Sequence, residues 1–326
     1  MRKFAGIPAA LLAFAAITYA QHPVAQERSR DAFRSTVSMV ALNVTVTDGR
    51  DLVTGLEAAD FEVYEDGVQQ HVRFFESTAV PLDVILLLDT SSSMRDRMPV
   101  VHDAARDFMK VLRPQDRGAV VAFNDTVRVL EPLTSDAAAV EAAIGSAVAH
   151  GSTALHTAIY VALKEFGRGA RWSGEVRRQA IAVLSDGEDT ASLIAFEDVV
   201  ALARKMGVNI YTIRLQAAGE AARTPPVDDR FTDSAYAMTT LARETGARAF
   251  FPGNVHELKH VYDMIAEELE SQYSIAYAPT NTQLDGQFRR VSVRVTASPS
   301  FRPRARTGYT ATPASASVAH QPDSLR

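Results

Sequence analysis

The sequence predicts an α/β fold with a doubly wound, mostly parallel sheet and a small β-sandwich module built from the N- and C-terminal segments. From residue 82 onward, short apolar runs alternate with stretches of helical periodicity. Before residue 80 and after residue 272, apolar and polar residues alternate instead, as they do in antiparallel sheets with one buried face. At 326 residues, the chain is long enough for one large domain and a smaller one.

The first 20 residues have the features of a signal peptide. Arg2 and Lys3 give a positive start, residues 4–17 are largely apolar, and residues 18–20 form a small-residue cleavage site. The apolar run is short for a membrane span and contains a proline, which favours cleavage over a retained anchor. We therefore expect export to the periplasm, the cell surface or the extracellular space, with no membrane span in the mature chain. A flexible leader is predicted at residues 21–33.

Residues 34–80 predict a small antiparallel β module. Their alternating apolar positions are Val37, Met39, Ala41, Val44 and Val46, with a register change after Ala41. Asp66-Gly67 is a turn signal, and residues 61–64 and 72–75 on either side of it predict a hairpin. The module is short for an independent core, so we expect it to borrow strands from elsewhere in the chain.

Residues 82–271 predict the parallel sheet and the helices that cover both of its faces. The predicted strands are 84–88, 118–123, 126–130, 179–184, 209–215 and 248–251. The predicted helices are 100–112, 136–148, 154–166, 196–206, 234–245 and 255–270.

The C-terminal segment, residues 272–310, returns to a β pattern. Residues 272–277 and 289–296 predict two strands that need a partner sheet, and we expect them to complete a sandwich with residues 34–80. Arg302, Arg304 and Arg306 form a small basic patch, which we assign to a solvated segment. The Ala/Ser/Pro-rich residues 311–326 predict a disordered tail.

Three segments carry oxygen-bearing side chains at or near the ends of predicted elements. Asp89, Ser91 and Ser93 directly follow the apolar run at residues 83–88; Thr153 precedes a helix; and Asp186 follows the strand at residues 179–184. In doubly wound sheets, the carboxyl ends of the strands meet at one edge, where ligands bind. Carboxylate and hydroxyl oxygens suit Mg²⁺, Mn²⁺ or Ca²⁺, so the sequence predicts a hard-metal site at this edge.

Taken in order, these three segments resemble the metal-ion-dependent adhesion site (MIDAS) of the von Willebrand factor A domain, which has a Rossmann-like fold. The resemblance implies that Ser91, Ser93 and Thr153 bind the metal directly or nearly so, and that Asp89 and Asp186 mostly hold coordinating waters. The layout of residues 34–310 also resembles a bacterial exported family related to this domain, whose biological role is poorly defined.

Such a site favours protein binding. Hydroxyl ligands leave a divalent ion electrophilic, so an aspartate or glutamate of a partner protein can complete its coordination. We therefore predict a secreted, monomeric, adhesion-type protein-binding module with Mg²⁺ (or Mn²⁺/Ca²⁺) as its cofactor and no enzymatic activity. The net charge of −5 and the absence of a Lys/Arg block argue against a nucleic-acid partner. The absence of cysteine excludes disulfides and thiolate chemistry.

Two alternatives stay open at this point. One is a structural or assembly protein of the cell envelope, in which the metal stabilises the fold. The other is a metal-dependent hydrolase, including a zinc protease at the HExxH sequence that runs from His256 to His260. Helical periodicity places both histidines opposite the apolar stripe that contains Leu258 and Tyr262, so we expect them to face solvent.

Two segments near the predicted site could shape its specificity. Residues 216–233 form the longest predicted loop, and we expect it to select the partner unless it is only a flexible insertion. The loop at Arg95-Asp96-Arg97 also flanks the site. By resemblance to adhesion domains, the helix at residues 255–270 is expected to shift when a ligand binds.

Overall fold

A computed structural model describes residues 39–77, 80–169, 177–186, 189–215 and 233–312. These residues belong to one compact unit, Ser38–Arg326. The predicted signal peptide, the leader, the selective loop at 216–232 and the tail from residue 313 lie outside the described residues. Within the described ranges, no helix combines the length and the apolar character that a membrane span needs.

The described residues form fifteen strands and six α-helices. The strands are β1 (Val40–Asp48), β2 (Asp51–Leu52), β3 (Phe61–Glu65), β4 (Val68–Gln70), β5 (Val72–Glu76), β6 (Leu82–Asp89), β7 (Arg117–Phe123), β8 (Val127–Thr134), β9 (Arg178–Ser185), β10 (Asn209–Arg214), β11 (Ala249–Phe250), β12 (Tyr273–Tyr277), β13 (Phe288–Val295), β14 (Phe301–Arg304) and β15 (Gly308–Thr310). The helices are α1 (Met98–Met109), α2 (Ala137–Gly145), α3 (Leu155–Gly169), α4 (Phe196–Met206), α5 (Asp233–Glu244) and α6 (Leu258–Ser271).

The central sheet has the strand order β11-β10-β9-β6-β7-β8. All neighbouring pairs are parallel except β7 and β8, which are antiparallel. Helices α1, α2 and α6 bury apolar side chains on one face of the sheet, and α3, α4 and α5 do so on the other. This arrangement confirms the predicted doubly wound, mostly parallel fold.

Strand β6 lies in the middle of this sheet and leads to the predicted site. All eight of its residues are buried. Val84, Leu86 and Leu88 pack in the apolar layer of α1 and α6, whereas Ile85 and Leu87 pack in the layer of α3 and α4. Because both faces of the strand are covered, its sequence is a continuous apolar run and not an alternating one.

A β-sandwich from both ends of the chain accompanies the central sheet, as the fold prediction stated. One antiparallel sheet has the order β14-β1-β12-β5, with β2 paired to β1, and the other has the order β15-β13-β3-β4. Their facing side chains form a separate core, in which Leu42 and Ile275 of the first sheet pack with Phe61, Val63 and Val291 of the second.

The register predicted for β1 is wrong. Strand β1 runs without interruption from Val40 to Asp48, and it buries Val40, Leu42, Val44 and Val46 while Met39 and Ala41 are exposed. Its continuous pairing with β12 and β14 carries no bulge, so the two-residue period never changes. The prediction had omitted Leu42, which is buried together with Val40, Val44 and Val46 on the same face of the strand.

The predicted hairpin is also wrong in its second strand. Strand β3 pairs with β4, directly after the turn at Asp66-Gly67, whereas β5 pairs with β12 in the opposite sheet. A single residue, His71, separates β4 from β5, so the chain crosses between the sheets at this point. The predicted strand at residues 72–75 therefore exists as β5, but the hairpin partner of β3 is the separate strand β4.

Of the three basic residues near the C-terminus, Arg302 is exposed, as predicted, but Arg304 and Arg306 are partly buried and form contacts within the protein. Arg302 and Arg304 lie on β14, and Arg304 forms a 2.5 Å ion pair with the buried Glu268 of α6. The guanidinium of Arg306 lies over the ring of Tyr309, and its Nη1 donates to the carbonyl oxygen of Arg204. These contacts tie the sandwich to the helices of the central domain.

Candidate metal site

The two predicted carboxylates lie at the carboxyl edge of the central sheet. Asp89 is the last residue of β6, and Asp186 directly follows β9. The two strands are parallel neighbours, with Leu88 opposite Leu184. Both aspartates therefore emerge side by side, where doubly wound sheets bind their ligands.

Hydrogen bonds connect the polar side chains of this edge. The Ser91 amide donates to Asp89 Oδ1 over 2.8 Å, which fixes the turn after the strand. The hydroxyl oxygens of Ser91 and Ser93 are 3.0 Å apart. The Ser93 hydroxyl then donates to Asp186 Oδ1 over 2.8 Å. Four of the five predicted residues thus form one continuous set of oxygen-bearing groups.

Thr153, the fifth predicted residue, is held between the other two segments by its backbone. The carbonyl of Gly151 accepts a 3.0 Å bond from the Ser92 amide. The carbonyl of Thr153 accepts bonds from the amides of Thr190 and Ala191, at 2.9 and 3.0 Å. The structure therefore brings all three predicted segments together.

Gly151 shapes the segment that contains Thr153. Its φ is +76°, in the left-handed region that favours glycine. A Cβ atom built at this position would also lie 3.0 Å from the carboxylate of Asp125. A side chain at residue 151 would therefore disturb both the turn and its neighbour.

Two residues near the site, Ser185 and Thr190, were not identified from the sequence, and Arg97 was identified only as part of a loop that flanks the site. The Ser185 hydroxyl donates to Asp89 Oδ2 over 2.5 Å, and Arg97 Nη1 donates to Asp186 Oδ2 over 2.7 Å. The Thr190 hydroxyl lies 3.3 Å from the Thr153 amide. Ser185 could have been found from its position beside Asp186 at the strand end. Arg97 returns to the site only because residues 92–97 form 3₁₀ turns, which no spacing rule reveals.

The electrostatic environment of Asp89 is unusual for a buried carboxylate. Asp89 is fully buried, and this burial raises the pKa of its carboxyl group. The hydrogen bonds from Ser185 and Ser91 oppose the increase. The nearby negative charge of Asp186 raises this pKa further. Among the described residues, no lysine or arginine forms an ion pair with Asp89. A buried charge with only neutral donors is stabilised by a bound cation.

The donor set fits a hard divalent cation. Three hydroxyl groups and two carboxylates are all oxygen ligands of the kind that Mg²⁺, Mn²⁺ and Ca²⁺ prefer, and no sulfur or imidazole group belongs to the set. The hydroxyl oxygens of Ser91 and Ser93 are 3.0 Å apart, so they are close enough to bind one ion together.

Neither His150, which precedes Gly151, nor the two histidines of the HExxH sequence belong to this set of oxygen donors. The His150 amide donates to the carbonyl of Thr90, while its ring lies 3.0 Å from the side-chain amide of Asn124. His256 and His260 are both exposed, and Glu257 between them accepts bonds from Gly253 and Asn254. In the part of the chain that the structure describes, no three His, Cys, Asp or Glu residues are grouped to hold a metal by themselves.

The fold and site together define a doubly wound domain that presents hydroxyl and carboxylate oxygens at its carboxyl edge. The model of the von Willebrand factor type A domain matches residues 83–263, more than half of the chain. The chain therefore belongs to the von Willebrand factor type A family. Domains of this family typically bind a divalent metal at the MIDAS motif.

Individual proteins show more distant similarity. A UPF0353 protein of Mycolicibacterium vanbaalenii is 26% identical over 234 residues, which cover 66% of this chain and 67% of that protein. A von Willebrand factor type A structure from Catenulispora acidiphila has a TM-score of 0.49 and 14% identity, covering 85% of this chain and 74% of its own. Proximal thread matrix protein 1 from the mussel byssus, solved with a zinc-occupied MIDAS motif, has a TM-score of 0.48 and 17% identity. That match covers 60% of this chain and 49% of the mussel chain.

Proposed function

We propose that this protein is an exported, metal-dependent binding module that recognises an acidic group of a partner protein. The observation that carries the proposal is the hydrogen-bonded set of Ser91, Ser93 and Asp186 beside Asp89, a buried carboxylate without a cationic partner. This combination provides both the ligands for a divalent cation and a negative charge that the cation would neutralise.

The metal would be held mainly by neutral groups. Ser91, Ser93 and Thr153 would provide hydroxyl ligands, and Asp89 and Asp186 would hold its coordinating waters. When bound, the ion supplies a positive charge that a carboxylate of the partner can approach. Because hydroxyl ligands add no negative charge, the ion would keep a strong attraction for that carboxylate. Mg²⁺ is our first candidate, with Mn²⁺ and Ca²⁺ as alternatives of similar ligand preference.

The surroundings of the site support a protein partner. Arg97 adds a cationic group beside Asp186, and its side chain is 21% exposed. Val148 and Leu193, which are 62% and 94% exposed, lie in the two loops whose backbones contact the site segments. An acidic side chain flanked by apolar residues would match this combination of charge and exposed apolar surface.

The metal can be tested by calorimetric titration of Mg²⁺ and Mn²⁺ into the wild-type chain and a Ser91→Ala/Ser93→Ala variant. We expect saturable binding by the wild type and none by the folded variant. Ser298→Ala/Ser300→Ala is the matched control, because those two hydroxyl oxygens are also 3.0 Å apart, on an exposed loop. Unchanged binding by the Ser91/Ser93 variant would reject the site.

The partner chemistry can be tested with paired peptides that differ only in aspartate or asparagine. Wild-type protein should retain the aspartate peptides in Mg²⁺ and release them when EDTA is added. Asp186→Ala separates this function from a structural metal, because lost peptide binding in a variant of unchanged stability favours recognition. If Asp186→Ala instead unfolds the chain in Mg²⁺ without a binding defect in the folded fraction, the metal is structural. Hydrolysis of the peptides would favour the enzymatic alternative.

A further inference from the structure

The 3₁₀ segment Ser92–Arg97 brings two different groups to the carboxylate of Asp186. The Ser93 hydroxyl donates to Oδ1 over 2.8 Å, and Arg97 Nη1 donates to Oδ2 over 2.7 Å. Both groups come from one segment, which is anchored by the fully buried side chain of Met94. A proposed metal ligand and a guanidinium are therefore held on the two oxygens of the same carboxylate.

The ion pair between Arg97 and Asp186 is shielded from solvent. The side chain of Asp186 is 6% exposed, and that of Arg97 is 21% exposed. By comparison, Asp103 in the surface pair with Arg106 is 80% exposed. Exposed pairs are weakened by water and salt, whereas a shielded pair keeps more of its electrostatic strength. The guanidinium of Arg97 is therefore a fixed positive charge of the metal edge.

Arg97 offsets one of the two carboxylates that the proposed metal would use. Asp89 and Asp186 lie close enough for the charge of Asp186 to raise the pKa of Asp89. With Arg97 bound to Asp186, two negative charges and one positive charge leave a single net negative charge. A lower negative charge around a divalent cation weakens the attraction for that cation. The site therefore attracts a metal less strongly than its donor oxygens alone would.

The guanidinium of Arg97 also lies near the hydroxyl ligands. One carboxylate separates it from Ser93, so an ion held at Ser93 would lie within the distance over which charges interact, about 10 Å at 0.1 M ionic strength. The ion and the guanidinium would be attracted to the same carboxylate and would repel each other. Arg95 provides the contrast, because it belongs to the same segment but is exposed and forms no ion pair in the ranges that the structure describes.

We propose that Arg97 is an intramolecular competitor of the metal and keeps the metal affinity of this site low. The inference rests on the proposed metal site at Ser91, Ser93 and Thr153, and it adds a residue that opposes metal binding. It also predicts cooperation with the partner. A carboxylate that approaches the ion would offset its repulsion by Arg97, so the metal and an acidic partner would each increase the affinity for the other.

The first test is calorimetric titration of Mg²⁺ into the full chain. Arg97→Gln removes the positive charge, and we expect it to bind Mg²⁺ about fivefold more tightly than the wild type, or better. Arg97→Lys keeps the charge and should remain within about twofold of the wild type. The matched control is Arg95→Gln, which removes an exposed and screened charge from the same segment and should also stay within about twofold.

Thermal unfolding provides a second readout that does not require the partner. In EDTA, Arg97→Gln leaves Asp186 without its ion pair with Arg97, so the variant should unfold at a lower temperature than the wild type. In saturating Mg²⁺ the ion compensates the carboxylate, and this difference should shrink to less than half. A residue that only stabilises the loop would give the same difference in both conditions, and that result would overturn the proposal.

The titrations also separate this inference from the proposed function. Saturable binding by the wild type, with equal or weaker affinity in Arg97→Gln, would overturn the competition and leave the metal site in place. Binding by Arg97→Gln alone would support the competition, because the arginine would then mask the site in the wild type. Absence of binding by both proteins would overturn the competition together with the proposed site.

Discussion

Strand β6 carries a buried aspartate near each end, and the two have opposite surroundings. Asp83, at the amino end, is 2% exposed and accepts bonds from Arg117 at 2.6 and 2.9 Å and from Arg177 at 2.7 Å. Asp89, at the carboxyl end, is 0% exposed, and within the described ranges it accepts bonds only from the neutral groups of Ser91 and Ser185. Both residues are aspartates of one strand and are similarly buried, but among the described residues only Asp83 has its charge neutralised by arginines.

This contrast separates a structural role from a binding role. Buried ion pairs are costly to break, so Asp83 with its arginines stabilises the amino end of the sheet. Asp89 has no such partner among the described residues, so under the proposed function its charge would be available to a ligand from outside the chain. Burial alone therefore does not distinguish these two carboxylates, whereas the presence or absence of a cationic partner does.

The largest expected effect is on stability, at Asp83. Asp83→Asn leaves Arg117 and Arg177 without their carboxylate, and we expect a loss of about 3–5 kcal/mol in the free energy of unfolding. Urea denaturation in EDTA measures this loss. The control is Asp103→Asn, which breaks an exposed pair with Arg106 and should cost less than about 1 kcal/mol. Equal effects of the two substitutions would remove the distinction between the two ends of β6.

At the other end of the strand, Asp89→Asn should spare the fold and remove the ligand effect. The amide keeps an oxygen acceptor for Ser91 or Ser185 and introduces no buried charge, so stability in EDTA should be equal to or above that of the wild type. Mg²⁺ at 100 times its Kd should stabilise the wild type by about 2.7 kcal/mol and should not stabilise the variant. Thermal unfolding of the wild type and the variant, each with and without Mg²⁺, measures this stabilisation. A variant that still gains stability from Mg²⁺ would show that Asp89 is not part of the site.

The amino end of the sheet should also contribute to acid sensitivity, through Asp116. Burial alone raises the pKa of Asp116, but bonds and charge from Arg113 and the Leu82 amide outweigh it and leave the pKa below its usual value. A lowered folded pKa gives stability that is present above the unfolded value, near 3.9, and is lost as pH falls through the folded value.

Asp116→Asn should therefore be less stable than the wild type by about 1–3 kcal/mol at pH 7. This difference should narrow as the pH falls below about 4, because the wild type then loses the contribution of the carboxylate. Urea denaturation at a series of pH values measures the difference. A gap that stays constant down to pH 2.5 would contradict the assignment.

The smallest effect is expected at the HExxH sequence. Because His256 and His260 are exposed and belong to no group of three metal-ligating residues among those that the structure describes, His256→Ala/His260→Ala should leave Mg²⁺ affinity and stability within error of the wild type. Calorimetric titration with Mg²⁺ and with Zn²⁺ measures the affinity of the variant and the wild type for each metal. Reduced Mg²⁺ affinity in this variant would place the functional metal on α6.

The central sheet could be predicted because its signals are local. The apolar run of β6 and the helical periodicities each depend on the burial of residues that are close together in the sequence. The predicted helix at 196–206, for example, has the same bounds as α4. The site segments were found for the same reason, since each follows a strand or precedes a helix. The von Willebrand factor type A resemblance rested on these segments, and the match to residues 83–263 confirms the family.

The features that the sequence did not reveal depend on contacts between distant residues. The partner of β5 is β12, about 200 positions away, so no local pattern could separate β5 from the hairpin. Similarly, Arg97 meets Asp186 and Arg304 meets Glu268 only after the sheets have assembled. Long charged side chains carry no periodic signal that would indicate which carboxylate they reach.

The sandwich built from both chain ends has a consequence for biosynthesis. Strands β1 to β5 are made first, but β12 to β15, which complete both of their sheets, are made last. At typical rates of about 5–20 residues per second, the early strands wait roughly 10–40 seconds for their partners while the ribosome makes the central domain. During that interval their edges are open to pairing with other chains. A premature stop codon just before Tyr273 would leave all strands of the central sheet encoded. The early strands of the sandwich, however, would never obtain their partners β12 to β15.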